Sequence, residues 1–317
     1  MRAVVTDDAV DGIPTVGERP DPIPGAGEVL VRVHAAGLNN ADLIQVRGGY
    51  PAPPGSPPDI PGMELAGEVV AVGPAVTRFG LGDRVMAVVG GGAQAELAVV
   101  HERVAMPVPE AMGWEEAGGF PEVFTTAHDA LFTQAGLGPG ERVCVHGAAG
   151  GVGVAGVQLA AAIGARVVAT VRRAELRAAV EALGDGVVAV EPDGFANHGP
   201  FDVILELVGG PNLAEDLRAL AVGGRITVIG TGGGAKAELN LMALMSVRGR
   251  IHGSTLRARP LEQKAAAARG VEAHVLPLVA SGRIRVPLAA TFALADAPSA
   301  YARFAAGAKF GKIVLVP

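Results

Sequence analysis

The chain has one cysteine, Cys144, in 317 residues. An intramolecular disulfide is therefore excluded, as is any zinc centre built from several thiolates. Aromatic residues are sparse, at 4% with one Trp and two Tyr. Basic residues do not dominate either: 26 Lys and Arg stand against 32 Asp and Glu, for a net charge of −6, and no basic stripe interrupts the sequence. Gly or a charged residue breaks each apolar run well before the 18 residues a membrane span needs. The opening MRAVVTDDAV carries neither the apolar core nor the cleavage site of a secretory signal. These absences lead to the expectation of a cytoplasmic protein with no membrane or nucleic-acid partner.

What is present suits a large folded core. Half of the residues are hydrophobic and 18% are charged, and 46 Gly and 23 Pro imply many tight turns. Residues 1–119 hold short alternating runs, VLVRVHAAG (29–37), ELAGEVVAVG (64–73), DRVMAVVG (83–90) and AELAVV (95–100), which read as an antiparallel β domain. PAPPGSPPDIPG (51–62) between them reads as an ordered rim loop. From 120 to 255 the rhythm becomes strand and helix in turn. ERVCVHG (141–147), ARVVATV (165–171), FDVILELVGG (201–210) and GGRITVIG (223–230) are continuous apolar strands, with helices expected over 152–163 and 174–184. Such runs flanked by helices indicate a doubly wound parallel sheet of Rossmann type. Residues 256–317 offer a long helical stretch over 261–282, then strand, helix and strand, expected to pack back on the first domain.

AAGGVGVAGVQ (148–158) contains G-x-G-x-x-G as Gly151, Gly153 and Gly156. A dinucleotide turn must begin directly after its strand, and this frame starts too late, with Gly156 already in the second helical turn. The better frame is Ala148-x-Gly150-x-x-Gly153, which makes Ala148, Gly150, Gly151, Val152 and Gly153 the cofactor-binding turn. About 20 residues on, an NAD site places a carboxylate on the ribose. Here TVRRAELR puts Arg172, Arg173 and Arg177 there, which points to the 2′-phosphate of NADPH. A solvated basic start to a surface helix is the other reading of the same residues. GTGGG (230–234) adds Gly230 and Thr231, where backbone could approach the cofactor.

Together with GLNNADLIQVRGGY (37–50), PGMELAGEVVAVG (61–73) and GKIVL (311–315), the turn resembles the medium-chain dehydrogenase/reductase superfamily over nearly the whole chain. Within it the sequence is most similar to the zinc-independent quinone oxidoreductases, including the p53-inducible quinone oxidoreductase-like branch. The resemblance implies a GroES-like catalytic domain (1–119 and 256–317) holding an inserted Rossmann NADPH-binding domain (120–255), a cleft between them, and a homodimer built partly through the Rossmann sheets. The zinc cysteine of that superfamily falls on Asn39, and the zinc histidine on Met63. Neither is a sensible ligand for catalytic Zn²⁺, and no histidine pair sits at H-x-x-x-H spacing, so no metal is expected. Asp42 and Glu64 persist at family positions, with a structural role expected.

Without a metal, the acceptor must spread the incoming charge itself, as a quinone or conjugated enone does, while hydrogen-bond donors orient its oxygen. The resemblance places Asn39 and Tyr50 as those donors and Thr126 near the nicotinamide. Ile44 stands where relatives carry a second Tyr, which makes the substrate pocket more apolar. Arg257 or Arg259 matches a cleft-facing basic position, and Lys312 is a further cofactor candidate. Turn formation for Asn39, a rim position for Tyr50 and a backbone-bonded helix hydroxyl for Thr126 are the corresponding structural readings. The resulting expectation is an NADPH-dependent quinone or enone reductase. The alternatives are an enoyl-thioester reductase of the same superfamily and a non-catalytic NADPH-binding redox sensor.

Overall fold

The computed structural model describes residues 1–10 and 12–317. They form two compact units: Met1–Thr125 with Leu256–Pro317, and Thr126–Thr255. The first division thus falls later than the change of composition at 119/120. Helices α2 (Trp114–Gly118) and α3 (Pro121–His128) follow each other almost without a loop, and α3 runs through the division.

The first unit begins with an antiparallel ribbon of β1 (Arg2–Val10) and β2 (Ile13–Glu18). Its main sheet contains β3 (Glu28–Gly37), β4 (Glu64–Val72), β5 (Arg84–Val88), β6 (Leu97–His101) and β7 (Ala105–Pro107). Two late strands, β14 (Leu288–Ala293) and β15 (Lys312–Val316), complete the order β14-β15-β3-β4-β5-β7. β3 is the hub. One edge pairs with β4; the other pairs with β6 over residues 28–32 and with β15 at Ala36 and Gly37. Register shifts along the β3–β4 pairing mark irregularities of the kind that bend a strand. Val29, Val31 and Val33 alternate inward with Leu65, Val69, Val85 and Ala87 to form the core. The last residues, Leu256–Pro317, lie in this unit. A second cluster packs Tyr301 of α10 (Ala297–Ala305) with Leu38, Ile313 and Leu315.

The second unit is a six-stranded, wholly parallel sheet. Its strands are β8 (Arg142–Val145), β9 (Arg166–Thr170), β10 (Val188–Val190), β11 (Phe201–Glu206), β12 (Leu220–Val228) and β13 (Arg250–Gly253). The spatial order is β10-β9-β8-β11-β12-β13. Strands run outward from β8 on one side and from β11 on the other. The reversal opens a crevice at the carboxyl ends of these two, where such sheets bind ligands. Helices α4 (Gly151–Ala162), α5 (Arg177–Glu181), α6 (Leu213–Arg218) and α7 (Leu241–Ser246) belong to this unit.

Two expected helices are shorter than their sequence patterns. The one over 174–184 is a 3₁₀ turn, Ala174–Leu176, followed by α5, which ends at Glu181. The stretch 261–282 divides into α8 (Leu261–His274) and α9 (Leu276–Ala280), because Pro277 lacks the N–H needed to continue the first helix.

Candidate functional site

In the first unit the site grows from the end of β3. A Cβ at Gly37 would lie 2.3 Å from Glu64 Oε1 and 2.9 Å from the Gly118 carbonyl, so only glycine lets the strand pass this close. Asn39 then takes an extended conformation as the N-cap of α1 (Asn40–Val46). Its N–H donates to Asp42 Oδ2 at 2.8 Å, and the Asp42 N–H donates back to the Asn39 carbonyl at 3.0 Å. The Asn39 amide is oriented by its neighbours: Nδ2 donates to Glu64 Oε1 at 2.9 Å, and Oδ1 accepts from Lys312 Nζ at 2.8 Å. A flipped amide would set donor against donor and acceptor against acceptor.

Lys312 is buried and engages all three of its N–H directions, with the Leu38 carbonyl at 2.7 Å, Asn39 Oδ1 and Glu64 Oε1 at 2.6 Å. The ammonium of Lys312, a cofactor candidate in the sequence, is thus engaged inside the first unit. Glu64 Oε2 accepts the Glu122 N–H at 2.8 Å. Asp42 Oδ1 accepts from Gly62, and Tyr301 donates to Gln94, whose side-chain amide approaches Asp42. Burial pushes the Asp42 carboxyl up from 3.8 to about 6, against the pull of the Asn39 N–H and of Lys312.

Tyr50 lies beyond the other end of α1, which itself spans about 10 Å. Arg257 fixes it. The guanidinium stands 4.9 Å from the Tyr50 ring centroid and donates to the Tyr50 carbonyl at 3.0 Å, the Gly90 carbonyl at 2.8 Å and Gln45 Oε1. Arg257 is buried, whereas Arg259 is half-exposed. The Tyr50 side chain is half-buried, and its hydroxyl meets no hydrogen-bond partner among the described residues. Burial raises its pKa above the usual 10 and keeps it a neutral donor. Asn39 retains one amide N–H, and Ile44 is exposed on α1. This arrangement supplies neutral donors, with no strong base at either residue. It does not fit a catalytic Zn²⁺: Met63 is a buried thioether, the Asn39 amide is taken, and an ammonium already sits on Glu64.

In the second unit β8 ends at Val145, and Gly147 turns the chain with φ +60°. Gly150 is the N-cap of α4, whose first helical hydrogen bond runs from the Val154 N–H to the Gly150 carbonyl. The N–H groups of Gly151, Val152 and Gly153 therefore open the helix unpaired, the arrangement that receives phosphate. A Cβ at Gly153 would sit 2.5 Å from the Gly147 carbonyl oxygen and 2.6 Å from Ala148 Cα, while one at Gly156 would press on Leu205 of β11 at 2.9 Å. The two glycines thus have different tasks, the turn itself and helix-on-sheet packing. Ala148 is buried, and its N–H bonds the Thr170 carbonyl at 3.1 Å. Gly230 passes so close to Leu207 that a Cβ would lie 2.2 Å from its carbonyl oxygen; Thr231 beside it is exposed.

The three arginines are placed differently. Arg172 is exposed, with no partner among the described residues. Arg173 pairs with exposed Glu175 at 3.1 Å, and Arg177 reaches Glu191 at 2.7 Å and the Val171 carbonyl. Thr126 is buried on α3. The bare N–H groups, the Cβ-free approach at Gly153 and the open Arg172 guanidinium are a donor set that fits a dinucleotide.

One cluster here escaped sequence reasoning. His146, at the mouth of the turn, holds Asp216 Oδ1 at 2.8 Å through Nε2 and Thr170 Oγ1 at 3.0 Å through Nδ1. Glu206 accepts the N–H groups of Val208 and Gly209 and the Asn212 amide, which shapes the loop after β11. His146 thereby ties the end of β8 to the end of β9 and to α6. His146, Glu206 and Asp216 bring their ligand atoms within 4.8 Å of one another. The 2.8 Å contact is a hydrogen-bond length, whereas two ligands on a tetrahedral ion with bonds of about 2.0–2.1 Å stand about 3.3 Å apart. A proton closes this cluster. Its sequence signal was position alone, a histidine and a glutamate each at the carboxyl end of a buried strand.

Two family models match the chain: the alcohol dehydrogenase GroES-like domain over residues 25–133 and the zinc-binding dehydrogenase over residues 183–315. The quinone oxidoreductase of Mus musculus is 34% identical over 256 residues, covering 76% of both chains. Polyketide synthase GfsB of Streptomyces halstedii is 40% identical over 208 residues, which is 64% of this chain and 4% of the synthase. This chain spans 4–14% of the length of the polyketide synthases compared. Among solved structures, an alcohol dehydrogenase superfamily protein from Novosphingobium aromaticivorans is similar with a TM-score of 0.86 at 29% identity, over 100% of this chain and 99% of that one.

Proposed function

Because the chain belongs to the medium-chain dehydrogenase/reductase superfamily, with quinone oxidoreductases among its relatives, we propose that it reduces a quinone or conjugated enone with NADPH and without a metal. The observation that carries this reading is the Lys312–Glu64–Asn39 contact. It places an ammonium and an amide where metal chemistry would need open ligands.

When bound, NADPH supplies the hydride. The residues that would hold it are Gly150, Gly151, Val152 and Gly153 at the α4 N-terminus, the backbone at Gly230 and Thr231, and Arg172 on the 2′-phosphate; Thr126 serves the nicotinamide end. Asn39 donates its remaining amide N–H to the acceptor oxygen, and Glu64 and Lys312 hold that amide in one orientation. Tyr50 offers a neutral hydroxyl, kept protonated by burial and steadied by Arg257. The acceptor gains the hydride at carbon, and its oxygen or α-carbon then takes a proton from solvent or by relay through Tyr50. Such donors suffice because a conjugated acceptor delocalises its developing charge.

Similarity to segments of polyketide synthases favours a second reading, in which the conjugated acceptor is an α,β-unsaturated thioester. A homodimer is part of the proposal. Strand β13 is an open sheet edge, and Leu241, Met242 and Met245 of α7 are exposed in the same unit. A cytoplasmic setting is proposed with it, on the absence, among the described residues, of a helix long and apolar enough to cross a membrane.

The test is NADPH oxidation across quinones, enones and enoyl thioesters. Asn39→Ala and Tyr50→Phe are expected to lower turnover by up to about a hundredfold while leaving NADPH affinity unchanged. Full turnover in both variants would remove these residues from the chemistry, and wild-type protein that reduces no acceptor would leave the non-catalytic reading.

A further inference from the structure

The first unit holds a cavity of about 340 Å³, within the size range of small-molecule sites. Its floor is β6. Ala98 and Val100 of that strand belong to the first unit's core, and Leu97, Val99 and His101 line the cavity together with the edge of Ala98. The outward face of an antiparallel sheet is ordinarily polar. Here two of its three residues are branched aliphatics, and the Pro53–Pro57 and Val88–Gly92 loops wall them in.

The lining of the cavity includes unpaired positive charge. Lys264, in the first turns of α8, lines it half-buried and has no ion-pair partner among the described residues. Burial lowers its pKa, with no acidic neighbour opposing the shift. The acids of the same helix are committed elsewhere, Glu262 to Arg103 and Glu272 to Arg78 and Arg269. Arg257 adds a second lining charge whose N–H groups meet only carbonyls and an amide. The acid in the lining, Glu28, is held by the Gly25 N–H at the start of β3. Low-dielectric walls that carry positive charge focus field on an incoming anion. Arg257 also joins the cavity to the site, since the same guanidinium lies over the Tyr50 ring.

We propose that this cavity receives an apolar tail of the acceptor that ends in an anion, with Lys264 meeting its carboxylate or phosphate. The assignment to the acceptor rests on the hydride-transfer reading above; the binding site itself rests on Lys264 and the cavity.

Calorimetry on the whole protein with decanoate, decyl phosphate and 1-decanol tests it without turnover. Both anions should bind at least about tenfold more tightly than the alcohol. Lys264→Gln should erase that ratio and Lys264→Arg should keep it. Val99→Trp, which fills the cavity, should weaken all three ligands. A tenfold preference for the phosphate identifies a tail that ends in phosphate, and one for the carboxylate identifies a tail that ends in a free acid. Equal binding of charged and neutral chains, a ratio unchanged in Lys264→Gln, or indifference to Val99→Trp overturns the proposal. An inactive protein that still shows the Lys264-dependent ratio defeats the hydride reading and keeps the site; an active protein without the ratio does the reverse.

Discussion

Lys312 Nζ lies 2.6 Å from Glu64 Oε1, and both side chains are buried. The two residues come from β15 and β4, which do not pair with each other but each pair with β3. Their contact therefore depends on β3 holding both strands in register.

Removing one member of this pair should be costly, because it strands the other charge. Lys312→Met is expected to destabilise the protein by about 3–5 kcal/mol. The double variant Lys312→Met/Glu64→Gln should recover much of that loss, since Gln can still accept the Glu122 N–H. Urea unfolding of the four proteins measures the coupling. Additive effects would mean that the contact is not formed in solution.

Asp42 carries a pH signature. Its folded-state pKa, about 6, lies above the ordinary 3.8 because of burial, so the folded protein holds this proton more tightly than the unfolded chain does. The stabilisation it gives is full below about pH 4 and is lost as pH rises through 6. Relative to Asp42→Asn, wild-type stability should fall by about 3 kcal/mol at most between pH 4 and pH 7. Flat difference curves from chemical denaturation across that window would contradict the shift.

Among the three arginines after β9, the uncommitted guanidinium is that of Arg172. Arg172→Ala should weaken NADPH binding by about tenfold to a hundredfold and leave NADH nearly unaffected. Arg177→Ala should do less, because Arg177 must first leave Glu191. Equal titration curves for the two cofactors in the wild type would rule out 2′-phosphate recognition here.

Dialysis against a strong chelator should leave activity intact, and elemental analysis of the purified protein should give well under one zinc per chain. The ligand set Asn39, Met63 and Lys312-bound Glu64 is the reason. Stoichiometric zinc whose removal abolishes turnover would reverse the assignment.

The fold was legible where burial and periodicity agreed. The central strands β8, β9, β11 and β12 are short continuous apolar runs, and β3 to β6 alternate or nearly so, which makes their positions readable within a few residues. The edge strands β10 and β13 were not readable. VAV and RIHG are too short and too mixed, and parallel pairing with β9 and β12 makes them strands. The glycine turn could be placed because a strand before and a helix after constrain the frame. The fate of Lys312 could not: GKIVL says that a lysine begins a strand, and only the packing of β15 on β3 says that its ammonium points at Glu64. The Arg257 and Arg259 choice has the same character, since two arginines one residue apart in a loop carry no periodic signal.

The discontinuity of the first unit has a consequence for how the protein comes into being. A ribosome releases Glu64 and Asn39 early, then delivers the entire second unit, and only afterwards the strand that carries Lys312. The parallel sheet of residues 126–255 is contiguous and can close as soon as it emerges, whereas the first unit must wait with a carboxylate that has no counter-charge and with one stretch of β3 edge unfilled. Docking of β15 is thus a late checkpoint in synthesis, and nascent chains arrested before it should expose a finished second unit beside a protease-sensitive first one.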